Sequence, residues 1–191
     1  MKTGIVFHEL YLWHDTGNHA DYVPYGFPVE PFQHSENPDA KRRIKNLMEV
    51  SGLYEKLFQI TPRKATKDEI LLFHTENHFE YIKSLNDSIN IDAGITTPTG
   101  IGSFDIALLS AGGVIEAIDH VIDEKVNNAY ALVRPPGHHA MPNKAMGFCI
   151  FGNAAIAGKH ALKNKDLHKI AFIDWDVHHG NGTQAAFYND S

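Results

Sequence analysis

Cysteine is almost absent from this sequence: Cys149 is the only one among 191 residues. One cysteine cannot form an internal disulfide, which excludes the small secreted scaffolds that disulfide bridges hold together. Long apolar runs are absent too, since His8 and Glu9 interrupt the first apolar stretch, so neither a signal peptide nor a membrane span is indicated. We therefore expect a cytoplasmic protein without a membrane partner.

An excess of positive charge is also lacking. The chain has 17 Lys and Arg against 23 Asp and Glu, a net charge of -6. Because proteins that hold nucleic acid need a basic surface, direct nucleic-acid contact is not expected, whereas a mildly acidic surface suits an amine substrate. Neither a linker nor an internal repeat divides the sequence, so we predict one domain over residues 1–191.

Short apolar runs alternate with helical patterns along the chain. Three runs have the length of buried strands: 4–7, 129–133 and 169–173. Helical spacing and end signals predict four helices: 38–51, 77–85, 104–122 and 153–162. This alternation favours a three-layer α/β architecture with a mainly parallel sheet, in which functional sites gather beyond the carboxyl ends of the strands.

Side-chain patterns add detail to this outline. In the first helix, the apolar face that we expect to pack on the core comprises Ile44, Leu47, Met48 and Val50. Thr66 and Glu69 have the spacing of a capping box. Two segments rich in Gly, Pro and polar residues, Tyr11–Gln33 and Asp92–Gly102, are predicted to be long loops, which are often functional.

The strongest motif follows the run at 169–173. If the extended backbone continues, Asp174, Asp176 and His178 project to one face. Such a cluster can simply cap a strand end, but three polar groups beside a core, followed by a Gly-Asn-Gly turn, favour metal binding. Carboxylate and imidazole are good zinc ligands, and a catalytic zinc keeps three protein ligands and an open position.

A second motif, Arg134-Pro135-Pro136-Gly137-His138-His139, follows the run at 129–133. Two prolines and a glycine fix the backbone that presents the paired histidines. Imidazole titrates near neutrality, so a positioned histidine can take a proton from water and return it to a leaving amine. A metal ligand or an ordinary loop histidine is the alternative, and the position after a strand favours catalysis.

Residues 134–140, 145–149 and 174–184 resemble the histone deacetylase family. The form of both motifs is similar to the class II branch, which includes bacterial histone deacetylase-like amidohydrolases and, more distantly, acetylpolyamine amidohydrolases. Residues 10–17 and 110–113 resemble the bacterial enzymes as well. The resemblance implies a three-layer arginase/deacetylase-type fold with a mainly parallel sheet. It covers the N-terminal half of the family's domain, so the C-terminal part is expected to be absent from this chain.

The resemblance also implies metal ligands. Asp176 and His178 would bind one catalytic Zn²⁺. Asp174, the Asp176 carboxylate and the His178 carbonyl would bind a structural K⁺. Arginase-type dimetal hydrolases are an alternative, but their motif has the order Asp-x-His-x-Asp, whereas this one has Asp-x-Asp-x-His.

Further roles follow from the same resemblance. His139 would be the general base, and His138 its electrostatic partner or an acid. Asp174 would pair with His138, and Asn181 would orient His139 without adding a charge. Phe148 would line the substrate channel, where a flat apolar wall suits a methylene stem, although its residue type alone favours core packing.

The implied function is a zinc-dependent deacetylase that removes acetyl groups from acetylated lysine, a polyamine or another small amine by metal-activated water. In the family, the third zinc ligand, an Asp, and the catalytic Tyr lie in the C-terminal half. Tyr188 is expected to be an ordinary packed aromatic. A catalytically weak acyl-lysine binding module or an inert fragment is therefore the alternative. The sequence leaves the substrate and any oligomer formation open.

Overall fold

The computed structural model describes residues 1–18, 23, 27–165 and 167–190. Its strands are β1 (Thr3–Val6), β2 (Phe58–Ile60), β3 (Ile91–Asp92), β4 (Gly94–Ile95), β5 (Pro98–Thr99), β6 (Asn128–Ala131) and β7 (Ala145–Met146). Its α-helices are α1 (Asp39–Val50), α2 (Lys67–Ile70), α3 (Glu76–Ser84), α4 (Ser103–Ile122), α5 (Asn153–Asn164) and α6 (Asn181–Phe187). Two 3₁₀ helices cover Glu9–Trp13 and Tyr54–Lys56.

Strands β2, β1 and β6 form a three-stranded parallel sheet in that order. Gly4 of β1 pairs with Phe58 on one side and with Ala129 on the other. Short pairs lie apart from this sheet, with β3 antiparallel to β5 and β4 parallel to β7. The predicted strands at 4–7 and 129–133 are confirmed to within two residues, as is the α/β class with a mainly parallel sheet.

Helix α4 packs against β1, β2 and β6 and against α5. Its adjacent glycines, Gly112 and Gly113, allow the backbone near Arg63 and the side chain of Tyr11 to approach the helix closely. A methyl group at Gly112 would lie 1.9 Å from the Arg63 carbonyl oxygen, and one at Gly113 would lie 2.5 Å from the Tyr11 hydroxyl. The main core lies between α4, α5 and the α2–α3 region. Its fully buried members are Ile70, Ala111, Ile115, Ala145, Ile150, Phe151, Ile156 and Ala157.

The predicted capping box at the start of α2 is confirmed. The Glu69 N–H donates to Thr66 Oγ1 at 3.3 Å and the Thr66 N–H donates to Glu69 Oε2 at 2.8 Å, which completes the capping box of α2. Before α1, Asn37 Oδ1 accepts the Asp39 N–H at 2.8 Å. These side chains satisfy amides that have no partner inside a helix.

The apolar face of α1 does not pack on the core, so that prediction is wrong. Leu47 is 70% exposed and Val50 is 89% exposed. Lys45 is the residue that α1 buries, and its ammonium lies 4.0 Å from the centre of the Tyr54 ring. Periodicity shows which residues share a face, but a lysine with a long apolar stem can take the inner position instead.

The predicted strand at 169–173 is also wrong for this structure. The segment pairs with no strand among the described residues, and Ile173 is 82% exposed. A cavity of about 330 Å³, lined by Ala129, Ala131 and Ile170 among others, separates it from β6. An apolar run supplies the side chains of a strand, but its backbone also needs a hydrogen-bonding neighbour. Tyr188 is exposed too, contrary to the expected packing.

The two predicted loops have different outcomes. Part of Tyr11–Gln33, residues 19–22 and 24–26, lies outside the described residues, and its first turn belongs to a 3₁₀ helix. The loop Asp92–Gly102 contains β4, β5 and the end of β3. In the part of the chain that the structure describes, no helix has the length and apolar character needed to span a bilayer.

Three buried histidines predict that the protein becomes less stable as the pH falls below about 6.5. Burial, followed by the neighbouring His78, lowers the pKa of His74 from 6.5 to about 3. Burial likewise lowers the pKa of His78 and of His14. The unfolded chain therefore binds protons at a pH where the folded chain does not, and stability is lost as the pH falls from 6.5 towards 3.

For His74 alone, the loss at pH 5 is about 2 kcal/mol. Urea denaturation at a series of pH values measures it, and His74→Gln should show a shallower dependence between pH 6.5 and 5, a range above the usual pKa of carboxylates. A free energy of unfolding that stays constant over that range would contradict the prediction.

Candidate active site

The two sequence motifs lie side by side beyond the end of β6. His138 Nδ1 is 3.0 Å from Asp174 Oδ2, and His139 Nδ1 is 2.6 Å from Asn181 Oδ1. The centres of the two imidazole rings are 4.0 Å apart. The structure thus brings together the four residues assigned to catalysis from the sequence, and gives each histidine a different partner.

Asn181 fixes the tautomer of His139. Its Nδ2 donates to the His139 carbonyl oxygen at 3.2 Å, so its Oδ1 is the atom that faces the His139 ring. Because this oxygen can only accept, His139 carries its proton on Nδ1 and keeps a free lone pair on Nε2. An imidazole held in this way is ready to accept a proton at Nε2.

Asp174 places a negative charge beside His138. Burial alone would raise its pKa, but hydrogen bonds from His138 and from the Asp176 N–H outweigh burial and lower the pKa below its usual value. Gly180 makes room for this contact, since a methyl group there would lie 2.4 Å from Asp174 Oδ2. The carboxylate is therefore ionised at neutral pH and in hydrogen-bond contact with His138.

Asp176 and His178 come together through a chain of tight turns. The Asp176 N–H donates to Asp174 Oδ1 at 3.1 Å, and the His178 N–H donates to Asp176 Oδ1 at 2.8 Å. This last bond is the main reason that the pKa of Asp176 is lowered. The expected convergence through strand alternation is wrong, because the backbone bends at 176–178. In each turn, an aspartate Oδ1 accepts the backbone N–H two residues later, and this brings Asp174, Asp176 and His178 together without a strand.

The Asp176 and His178 pair fits one zinc ion. Asp176 Oδ1 and His178 Nδ1 are 3.1 Å apart. Two ligands of a tetrahedral zinc are about 3.3 Å apart, given metal–ligand distances of about 2.0 Å. Within the described residues, no group of three or more His, Cys, Asp or Glu is positioned to hold a metal ion. This part of the chain therefore supplies two zinc donors, and a complete site needs at least one more.

The adjacent histidines, His138 and His139, and the Asp176 and His178 pair line one cavity of about 310 Å³. Its lining includes His139, Phe148, Asp176 and His178. The edge of the Phe148 ring meets the His34 ring at a centroid distance of 4.8 Å. Phe148, assigned to the substrate channel from the sequence, thus lies in the wall of the cavity that the histidines enter.

Gly147 and Cys149 support His139 from behind. A methyl group at Gly147 would lie 2.4 Å from Cδ2 of His139, so the ring lies directly on the glycine. Cys149 Sγ accepts the His139 N–H at 3.4 Å. Cys149 is fully buried, and burial raises the pKa of its thiol to about 12, so it remains protonated.

Gly147→Ala is expected to destabilise the protein more than Gly52→Ala. Both glycines have a left-handed backbone, with φ of 54° and 69°, but nothing lies within 4 Å of a methyl group at Gly52. The two variants share the backbone strain, and only the first forces His139 to move, which adds about 1–3 kcal/mol. Urea denaturation of both variants measures the difference. Equal losses would show that the His139 ring is free to shift.

Sequence reasoning missed a buried polar support for residues 134–139, here called the histidine loop because they carry His138 and His139. The Pro135 carbonyl oxygen accepts from Ser110 Oγ at 2.9 Å and from Asn153 Nδ2 at 3.0 Å. Asn153 Nδ2 also donates to Ser110 Oγ at 3.0 Å. Ser110, a polar residue inside the apolar pattern of α4, is the sequence signal that could have revealed this support.

Arg134 is the first residue of the second motif, and the sequence alone indicates no role for it. Its side chain is fully buried, and its Nε is 2.9 Å from both carboxylate oxygens of Glu36. Nη1 donates to the carbonyl oxygens of Tyr11 and His14. Arg134 therefore ties the start of the histidine loop to two N-terminal segments.

The sequence profile of the histone deacetylase domain matches residues 34–191, most of the chain. The chain belongs to the histone deacetylase family. The crystal structure of the HDA15 HD domain superposes on 99% of the chain with a TM-score of 0.87 at 33% identity. The arginase/deacetylase-type fold expected from the sequence is thereby confirmed.

Several relatives in the histone deacetylase family match the whole chain. A histone deacetylase-like amidohydrolase from Pseudomonas aeruginosa is 44% identical over 98% of the chain, which covers 50% of that protein. A probable deacetylase from Archaeoglobus fulgidus is 38% identical over the full chain, which covers 49% of that protein. The chain thus spans about half the length of these relatives, and 51% of the HDA15 chain.

Proposed function

We propose that this chain carries the metal-binding half of a zinc-dependent deacetylase, which hydrolyses the amide of an acetylated amine. The observation that carries the proposal is the shared cavity. In it, His139, whose Nε2 is available to accept a proton, lies beside the Asp176 and His178 pair. The family supports an amide-hydrolysing reaction, since the relatives include an amidohydrolase and a probable deacetylase.

In this proposal, Asp176 and His178 hold the zinc ion, which when bound supplies Lewis acidity towards the acetyl carbonyl. Asp174, the Asp176 carboxylate and the His178 carbonyl would hold K⁺, and all three offer the oxygen ligands that hard cations take. The ring centres of His139 and His178 are 5.8 Å apart, so the proposed base lies beside a proposed zinc donor.

His139 carries the proton through the reaction. Nε2 takes a proton from the attacking water as its oxygen bonds to the acetyl carbon, and returns it to the nitrogen as the C–N bond breaks. The products are the free amine and acetic acid, and at neutral pH the proton of the acid passes to the amine to leave ammonium and acetate. Asn181 keeps Nδ1 protonated throughout, and Asp174 with His138 supplies a fixed electrostatic environment.

The substrate would be acetylated lysine, an acetylated polyamine or another small acetylated amine. Phe148 presents a flat apolar surface in the cavity wall, which suits a chain of methylene groups. The cytoplasm would be the place of reaction, as the single cysteine suggests.

A binding module without turnover, or an inert fragment, is the second candidate. The observation that favours it is the supply of only two zinc donors by the described residues, in a chain half as long as its relatives. Such a protein would keep the zinc pair and the Phe148 wall but lack the groups that complete the reaction.

The test compares the 191-residue chain with a joined chain, in which it is fused to the C-terminal half of the Pseudomonas aeruginosa relative. We expect stoichiometric zinc in the joined chain, loss of that zinc in His178→Ala, and hydrolysis of an acetyl-lysine peptide or acetylated polyamine by the joined chain. A joined chain that folds and binds zinc but hydrolyses no acetylated amine would support the binding module and overturn the enzyme.

A further inference from the structure

We infer that His74 is a positioning residue, because its imidazole bridges the two ends of the segment that forms the Phe148 wall of the cavity. The segment, here called the wall segment, runs from Pro142 to Gly152. The inference concerns how the cavity is held in shape, and only its kinetic consequence rests on the proposed function.

Both ring nitrogens of His74 are used. Nε2 accepts the Gly152 N–H at 2.9 Å, and Nδ1 lies 3.3 Å from the Pro142 carbonyl oxygen. Because Nε2 is an acceptor, the proton is on Nδ1, which donates to Pro142. Burial keeps the imidazole neutral by lowering its pKa to about 3, and only the neutral ring can accept and donate at once. One side chain thus holds both ends of the wall segment.

Neighbouring groups reinforce the same two points. The Thr75 N–H donates to the Pro142 carbonyl oxygen at 2.8 Å. His78 Nε2 lies 2.9 Å from the Ile150 carbonyl oxygen, which can only accept, so His78 donates. The His74 ring lies 4.8 Å from the His78 ring and 5.3 Å from the Phe151 ring. The bridge is therefore buried in an aromatic cluster, where lost hydrogen bonds are not replaced by water.

The wall segment has a conformation that needs support. Phe148 has a φ of 68°, a left-handed conformation that an aromatic residue rarely adopts. Such a backbone persists only where its surroundings hold it. In its middle, the Gly147 N–H donates to the Ile95 carbonyl oxygen at 2.9 Å and the Phe148 N–H to that of Thr96 at 3.0 Å. At its ends, the support comes from His74 and its neighbours.

The wall segment also contacts the proposed base. Gly147 lies under the His139 ring, and Cys149 Sγ accepts the His139 N–H. Releasing the ends of the segment would move Phe148 first, because it has the least favourable backbone, and His139 less, because Asn181 holds it independently. We therefore expect loss of His74 to affect substrate binding more than the chemical step.

The first experiment measures amide hydrogen exchange in the 191-residue chain. His74→Phe keeps an aromatic ring in the cluster but removes both hydrogen bonds, whereas His74→Gln offers an amide that can accept and donate. Ile60→Ala, a cavity-forming change in β2, is the matched control for general destabilisation. We expect His74→Phe to speed amide exchange at Gly147 and Phe148 at least tenfold relative to exchange in β1. His74→Gln should have a much smaller effect at the same two amides. Ile60→Ala should instead speed exchange in β1 more than in the wall segment.

Exchange that rises equally in β1 and the wall segment of His74→Phe, or in neither, would overturn the inference. The second experiment uses the joined chain, in which we expect His74→Phe to raise KM several-fold more than it lowers kcat. A loss of kcat at constant KM would show a merely structural role and also overturn it. If the unsubstituted joined chain is inactive, the proposed function fails, but the exchange result still decides the role of His74.

Discussion

Replacing His139 by alanine is expected to lower amide hydrolysis by the joined chain about 10²–10⁴-fold, the range in which a general base acts. The substitution removes the group that accepts the proton of the attacking water, and it leaves Asp176 and His178 in place. Zinc content should therefore be unchanged. Steady-state kinetics on an acetyl-lysine peptide, together with metal analysis of the purified variant, check both parts of the expectation.

His179→Ala is the matched control for this experiment. His179 follows His178 directly and is exposed, and its backbone carbonyl oxygen accepts the Asn181 N–H at 2.9 Å, a contact that alanine keeps. We expect its removal to change activity by less than about twofold, as for a surface substitution. If His139→Ala keeps more than a tenth of the activity, His139 is not the base. If it loses zinc together with activity, the variant does not separate chemistry from metal binding, and the assignment of roles is wrong.

The proximity of the two motifs could be predicted from the sequence, because the motifs and the local spacing carry it. Two residues separate the end of β6 from the start of the second motif, as expected for a functional loop beyond a parallel strand. A short-range signal was also confirmed, because the capping box at Thr66 depends on two residues that are three positions apart.

What the sequence did not predict depends on contacts between distant parts of the chain. The spacing in α1 is the same whether Leu47 or Lys45 faces inward, and the aromatic partner of Lys45 is made by a different element. The run at 169–173 has the composition of a strand, but composition does not supply its neighbour. His74 is 68 residues from Pro142, so nothing local to either residue signals their contact.

Removing Glu36 is expected to destabilise the protein by about 3–5 kcal/mol, because it leaves the Arg134 guanidinium buried without a counter-charge. Arg134 is fully buried, and Glu36 is nearly so. The carbonyl oxygens of Tyr11 and His14 would still accept hydrogen bonds in Glu36→Ala, but they carry no net charge. Urea denaturation of the 191-residue chain measures the loss.

The double variant Glu36→Leu/Arg134→Met shows whether the intact ion pair stabilises the fold. If it does not, the stability lost in Glu36→Ala comes from leaving the charge of Arg134 buried without a partner. A buried pair replaced by apolar side chains of similar size often leaves stability unchanged. We therefore expect the double variant to be more stable than Glu36→Leu alone, and a double-mutant cycle of Glu36→Leu and Arg134→Met quantifies the difference. A Glu36→Ala variant within about 1 kcal/mol of the original chain would mean that water reaches Arg134, as at exposed ion pairs. The arginine would then not anchor the histidine loop as its burial indicates, and the Ser110 and Asn153 contacts to Pro135 would be left to hold that loop alone.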